Sequence, residues 1–528
     1  MRPIRIFFYV DSGAMISHCV TAAELLRKQL GAQIIMMLVD SGKYVNETME
    51  NYEIYDYESL FGAPGKPPWS LSAKIKRLFG FGLQRSVWRH RGNMSEANAR
   101  SAFAASNHIS HRYARLKLVR LILVPPLRLL RTFAGALLST RVGQSDRHLS
   151  RLLLSVHRVN RFLGEIQPDV IVLPEDNIET LSTIIVARGG ARNIPSIIVP
   201  FTIPNPLEPA RHYLNNPLYQ AKGIFAQILT AYYPKWHIKH EGKDLLRLPA
   251  VKALGLEMLG LSSPAPWILN RGGAASIALE SDVQRDLYLK LGFPSAQLRV
   301  IGDMNGEVFN RSLSNKQRLA EELCARHGLR PGRPLILCGF PPDQYVGAET
   351  SRYEFPSYDA LIQAWMGSFK ALGERANVLV RPHPRIPLDR FANLGNSCIK
   401  LTWQPTVELI PLCDLYVASI SATIRWAIAC GIPTVNYDTF RYRYGDYESV
   451  AGVIGVEEVS EFRALITRFV DDPVFAAELA EKQQSVMRYW GQSDDQVGQR
   501  FASLVLEAVK NAGRYGRDAY FRASLAAG

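Results

Sequence analysis

The sequence predicts an α/β protein built from two doubly wound, parallel-sheet domains in series. Three observations lead there. Continuous apolar runs of strand length alternate with helical stretches, as strands covered on both faces require. That alternation occurs twice, on either side of the Gly/Pro/Arg-rich segment GLRPGRP at 328–334. At 528 residues the chain also exceeds what one core holds, and two domains of about 200 residues each are the natural division.

The first unit opens with IRIFFYVDSGAMISHCVTAAELLRKQLGAQIIMMLVD, in which the runs Ile4–Val10 and Ile34–Val39 flank a helical period between Val20 and Leu30. The polar loop DSGAMISH follows the first strand, at the end of a parallel sheet where ligands bind. From about 45 to 150 the rhythm breaks, starting with the loop GAPGKPPWS at 62–70, and this stretch reads as an insertion. Strand-helix alternation resumes at DVIVLPEDN (169–177) and PSIIVPF (195–201), and residues 274–303 close a first domain spanning 1–305.

The second unit, 330–495, takes strands at PLILCGF (334–340), NVLVRPH (377–383), CDLYVAS (413–419) and PTVNYD (433–438), with helices at Tyr358–Leu372 and Ala422–Cys430. Residues 496–528 form a terminal helix and tail. Two such series imply Rossmann-like domains facing across a cleft.

Charge is confined to one place. Between Leu71 and Asn160 there are 17 Lys and Arg against 2 Asp and Glu, whereas the rest of the chain has 45 against 46. Leucines and arginines alternate at helical intervals through 111–141, which suits an anionic membrane surface at 71–160. No aromatic-basic interleaving accompanies the charge, so nucleic acid is not expected. The six cysteines form no CxxC pair and sit mostly in apolar runs, as free thiols of a cytoplasmic protein do. The first apolar run breaks at Asp11, too early for a signal peptide, and no run reaches membrane-spanning length. The expected location is therefore cytoplasmic, peripheral on the inner face of the membrane.

The stretch NVLVRPHPRIP (377–387) carries the clearest chemistry. Its strand ends in Arg381, His383 and Arg385 separated by prolines, which places stiffly held donors at the mouth of a ligand crevice. Guanidinium forks and an imidazole N–H suit phosphate oxygens. In VASISATIRWAIACGIPTVNYD (417–438), Ser419, Ser421 and Thr423 sit where a strand gives way to a helix, which also suits an anion. Gly339 and Phe340 in CGFPPDQY are positioned to meet base or ribose, and Asp438 in the tyrosine-rich loop 436–448 to accept a ribose hydroxyl.

R-P-H-P, then S-x-S-A some 35 residues later, then a helix and G-I-P, resembles the carboxyl-terminal half of GT-B glycosyltransferases. The nearest groups are the polysialyltransferases, CDP-glycerol glycerophosphotransferases and capsule Kdo-transferases. The match covers about 330–450, with His383 and Pro384 on the HP motif and Ser419 and Ser421 on the serine motif. It implies a donor of CMP, CDP or UDP type and transfer to a growing, lipid-linked surface polysaccharide of capsule or lipopolysaccharide kind. UDP-GlcNAc 2-epimerases share the architecture, but their Ser-Gly-Gly at the helix start is missing here. A nucleotide-sugar-binding scaffold subunit without catalysis is the other alternative.

The catalytic base is expected from the first domain: Glu175 or Asp176 in LPEDN, directly after a buried strand, with His383 as the catalytic group of the second domain. Asp11 and His18 are the acceptor-side residues of the first loop. No HExxH, Cys/His cluster or loop DxD is present, so neither a metal nor another cofactor is expected.

Overall fold

The computed structural model describes residues 2–38, 49, 52–57, 60, 142–345, 350–383, 386, 388–391, 398–491 and 494–512. Most of the basic segment 71–160, together with Pro384 and Arg385, lies outside the described residues.

The first sheet contains β1 (Arg5–Val10), β2 (Gln33–Leu38), β3 (Glu53–Asp56), β4 (Val170–Leu173), β5 (Ser196–Ile198), β8 (Ser276–Leu279) and β9 (Leu298–Val300). Its order is β3-β2-β1-β4-β5-β8-β9, parallel throughout. A short antiparallel hairpin of β6 (His237–His240) and β7 (Lys243–Leu246) stands apart from it. Both faces of the sheet are buried, because side chains alternate along each strand. Ile6 and Phe8 pack beneath the helix Ile16–Leu30, while Phe7 and Tyr9 pack under Val142–Ile166, Ser182–Gly190 and Ala250–Met258.

The second sheet is ordered β12-β11-β10-β13-β14-β15, again parallel, from β10 (Leu335–Gly339), β11 (Asn377–Arg381), β12 (Ile399–Leu401), β13 (Leu415–Ala418), β14 (Thr434–Tyr437) and β15 (Val453–Val456). Most strands are followed by a helical crossover to the next, the doubly wound arrangement expected from the sequence.

Two segments pack differently from the divisions read along the chain. Residues 306–327 add Phe309 and Leu323 to the second domain's core. The terminal helix Val497–Lys510 returns to the first domain, where Phe501 and Val505 join the cluster beneath β1 and β2 and Gly498 lies against Leu25 and Gln29.

The carboxyl edges of the two sheets face each other. Arg425, just beyond β13, forms an ion pair with Glu280, the residue after β8. Arg211, past β5, lies 5.0 Å over the ring of Tyr444, past β14.

Candidate active site

In the second sheet the chain order reverses between β10 and β13, and ligands bind in such sheets at that reversal. The loop after β13 is the most unusual backbone there. Ile420 is β-branched yet has φ 45°, a left-handed conformation that costs of order 1–3 kcal/mol. It is held by its amide donating to Asn436 Oδ1 at 2.9 Å, on the neighbouring strand β14. The strain places Ser419, Ser421 and Thr423 on the crevice. Ser421 and Thr423 hydroxyls are 2.8 Å apart, the Tyr416 hydroxyl meets Thr423 Oγ1 at 2.5 Å, and Ser419 Oγ is buried without a protein partner. Gly339 makes this cluster possible, since a methyl group there would collide with the Tyr416 hydroxyl. The following helix is only Ile424–Ala429, shorter than the 422–430 expected, so the hydroxyls and loop amides carry more of any anion contact than a helix dipole does.

The residues of the second domain divide unevenly. Arg381 ends β11 as expected, but its Nε donates to Gln404 O at 3.1 Å, its Nη1 donates to Pro382 O, and the guanidinium lies 5.9 Å from the Trp403 ring. It therefore braces the loop after β12 against the strand end. His383 is partly buried and its carbonyl accepts from Ile386 N at 2.9 Å. Phe340 is turned into the core, edge-on to Trp365 and Phe391 at 5.2 Å each, so only its backbone borders the crevice. Asp438 accepts from the amides of Tyr442 at 3.0 Å and Arg443 at 2.7 Å, which makes its carboxylate the clamp of the 438–443 loop.

In the first sheet the reversal lies between β1 and β4. Glu175 follows β4 there, buried, with one carboxylate oxygen accepting from Asn177 Nδ2 at 3.1 Å and the other from Thr202 Oγ1 at 3.2 Å. Burial first, and then the nearby Asp11 carboxylate, raise Glu175 from 4.5 to about 7. Asp11, at the end of β1, is itself raised by burial and has Oδ2 buried without a partner. Two carboxyls thus converge on the reversal point, where one holds the other near neutrality.

Asp176 points the opposite way. Its Oδ1 accepts from Thr183 Oγ1 at 2.7 Å, its backbone is paired with Asn270, and the close approach of its carboxyl leaves no room for a Cβ at Gly272. It anchors the loop from inside the domain and does not reach the crevice. His18 is likewise internal: Nε2 lies 3.2 Å from Val199 O, the ring is edge-on to Phe201, and burial lowers its pKa to about 4, so it is neutral.

Sequence reasoning missed a second set of residues. Arg425 pairs with Glu280 at 2.8 Å and donates to Phe201 O at 2.9 Å, and Trp426 Nε1 donates to Asp303 Oδ2 at 2.8 Å. Burial, together with the Asp303 charge, raises Glu280 to about 8 against the pull of Arg425. These side chains join the two domains at the floor of the cleft. The available signal was an arginine inside the apolar run IRWAIAC, and acids directly after the strands SIAL and LRVIG. Phe201 accepts from Arg425 and the next residue, Thr202, donates to Glu175, so one dipeptide connects the domain junction to the raised carboxyl.

Among the described residues no group of three His, Cys, Asp or Glu is placed to hold a metal ion. The arrangement offers a raised carboxyl beyond the strand ends of the first sheet and a cluster of hydroxyls beyond those of the second.

No protein-family model and no curated protein matches the chain. Solved structures with a similar chain path include the UDP-GlcNAc 2-epimerase of Neisseria meningitidis bound to UDP-GlcNAc, at 10% identity and TM-score 0.45 over 96% of this chain and 100% of that one. The calicheamicin glycosyltransferase CalG4 is similar at 11% identity and TM-score 0.48, over 97% of this chain and 99% of that one. The wall teichoic acid polymerase TagF is similar at 10% identity and TM-score 0.47, over 96% and 89%.

Proposed function

We propose that the chain is a glycosyltransferase of the GT-B type, taking a sugar from a nucleotide-activated donor held by the second domain to an acceptor held by the first. The observation that carries this reading is Glu175, a buried carboxyl raised to about 7 at the reversal point of the first sheet, together with the strained Ser419–Thr423 loop at the reversal point of the second. A base with a pKa near the working pH is well matched to removing a hydroxyl proton. In the reaction the acceptor O–H proton passes to Glu175 as the oxygen bonds to the anomeric carbon. The bond from that carbon to the donor phosphate breaks, and its electron pair leaves with the phosphate. His383, Ser419, Ser421 and Thr423 donate to that phosphate, with Arg385 beside them in the sequence, while Arg381 keeps the strand ends in register. Gly339 lets the donor approach closely. Asp438 fixes the neighbouring loop.

The test is thermal unfolding with CMP, CDP, UDP, GDP and ADP, on wild type and His383→Ala. A nucleotide at a hundred times its Kd stabilises by about 2.7 kcal/mol, so a bound nucleotide is easily seen. A cytidine nucleotide is expected to raise the wild-type midpoint and leave His383→Ala unmoved. A protein indifferent to all five would fit the non-catalytic scaffold instead. Response to UDP alone, with UDP-N-acetylhexosamine isomerised in the absence of any acceptor, would replace transfer by 2-epimerisation.

The acceptor in this proposal is a lipid-linked surface glycan, met at the inner face of the membrane. No helix among the described residues is long and apolar enough to cross a bilayer. The helix Ile224–Tyr232, however, exposes Ile224, Phe225, Ile228 and Tyr232, with Ile224 at 66% and Tyr232 at 77%. Exposed apolar side chains on a helix preceded by Lys222 suit an anionic leaflet, and the basic stretch 71–160 adds to the same attraction. The double variant Ile224→Ser, Phe225→Ser should pellet with phosphatidylglycerol vesicles much less than wild type. Equal pelleting would remove this helix from the contact.

A further inference from the structure

A cavity of about 490 Å³ lies at the junction of the two domains, lined by Arg211, Glu241, Ser351, Arg352, Arg441 and Arg443. Four guanidinium groups against one carboxylate is an unusual lining, because like charges held close repel and each must be kept from water-filled alternatives. Arg211 comes from the helix Leu207–Tyr213 and Glu241 from the β6–β7 turn of the first domain. Arg352 follows β10, and Arg441 and Arg443 follow β14, in the second domain.

Three of the four guanidiniums are tethered by carboxylates, one of them only loosely, and Arg211 has none among the described residues. Glu458 accepts from Arg441 Nη2 at 2.5 Å, and Glu457 grips Arg443 at 2.6 and 2.8 Å; neither acid lines the space. Arg352 lies 3.9 Å from Glu241, at the limit of an ion pair. Arg211 rests on the Tyr444 ring with Nε and Nη1 buried and unpaired, and Arg441 Nε is also buried and unpaired. The loop carrying two of them is strained on purpose: Arg441 and Arg443 both have φ 51°, locked by the Asp438 carboxylate on the amides of Tyr442 and Arg443. Both arginines line the same space although Tyr442 lies between them.

We propose that this cavity binds an anionic saccharide unit of the acceptor, a sugar bearing a phosphate or carboxylate group. Guanidinium forks match the paired oxygens of both groups, and the volume is that of a small-molecule site. The proposal rests on the transferase reading for its role but not for its binding.

Calorimetric titration tests it with glucuronic acid, glucose 6-phosphate, glucose and inorganic phosphate, on wild type, Arg211→Gln and Arg352→Gln, each with and without saturating nucleotide. At least one charged sugar should bind wild type in the presence of nucleotide, and glucose should not. Each variant should weaken that binding by about tenfold or more, as loss of a charged hydrogen bond does, with nucleotide affinity unchanged. Displacement of the charged sugar by nucleotide would place it in the donor site and overturn the proposal. So would equal binding in the variants, no binding of either charged sugar, or inorganic phosphate binding as tightly as the phosphorylated sugar. A protein that takes the charged sugar but no nucleotide keeps the cavity assignment and loses the transferase reading.

Discussion

Glu175→Gln should abolish most turnover and at the same time stabilise the protein at pH 8. Loss of a positioned general base lowers rate by about 10²–10⁴-fold. The stability change follows from the direction of the pKa shift. Glu175 is raised from 4.5 to about 7 by burial and by Asp11, so the folded state holds the proton more tightly than the unfolded chain. Ionising it inside the fold costs stability as pH rises from 4.5 through 7, and the full cost is present above 7. A shift of that size corresponds to about 3 kcal/mol, which the glutamine variant avoids at pH 8 and not at pH 4. Wild-type kcat/KM should rise with pH through a pKa near 7. Chemical or thermal unfolding at both pH values, alongside the rate, separates a base from a packing residue. A variant with near-normal turnover, or one destabilised at pH 8, would end the assignment.

Arg425→Met should be the most damaging single change outside the reacting groups. Arg425 is 3% exposed, and removing it leaves the buried Glu280 carboxyl without its cation at the domain junction. Removing one partner of a buried pair typically costs about 3–5 kcal/mol, more than the pair itself is worth. The cost should be largest above pH 8, where Glu280 is ionised, and shrink below it, where burial has already put a proton on its carboxyl. Adding Glu280→Gln should recover part of the loss, a non-additivity that a double-mutant cycle measures. Turnover should fall as well, through the Phe201–Thr202 link to Glu175. A destabilisation below about 1 kcal/mol, insensitive to pH, would show that the junction is held by other contacts.

How much of this could be read from the chain differs by kind of feature. The central strands were legible because a parallel strand buried on both faces must be an unbroken apolar run: RIFFYV, VIVL, NVLVR and LYVA are each bounded by polar or turn residues. The strand ends followed too, and Glu175, His383 and Ser419 lie just beyond those of β4, β11 and β13. The edge strands EIYD, IKL and VIGV carry too few residues to stand out, and the hairpin around Glu241 depends on pairing across a turn.

The sequence by itself determined two doubly wound domains, the strand ends at which chemistry gathers, and the confinement of the excess charge to 71–160. Only the tertiary structure decided which way each neighbouring side chain turns there. Glu175 and Asp176 are equivalent in the sequence, but contact with Asn270, Thr183 and Gly272, all distant in the chain or across a loop, draws Asp176 inward and leaves Glu175 beside Asp11. Phe340 goes to the core and Arg381 to backbone carbonyls for the same reason. The return of Val497–Lys510 to the first domain, the Arg425 junction and the four-arginine cavity likewise join residues more than a hundred positions apart. Periodicity reports the local face that a residue prefers, whereas these contacts are set by which distant surfaces the two cores bring together.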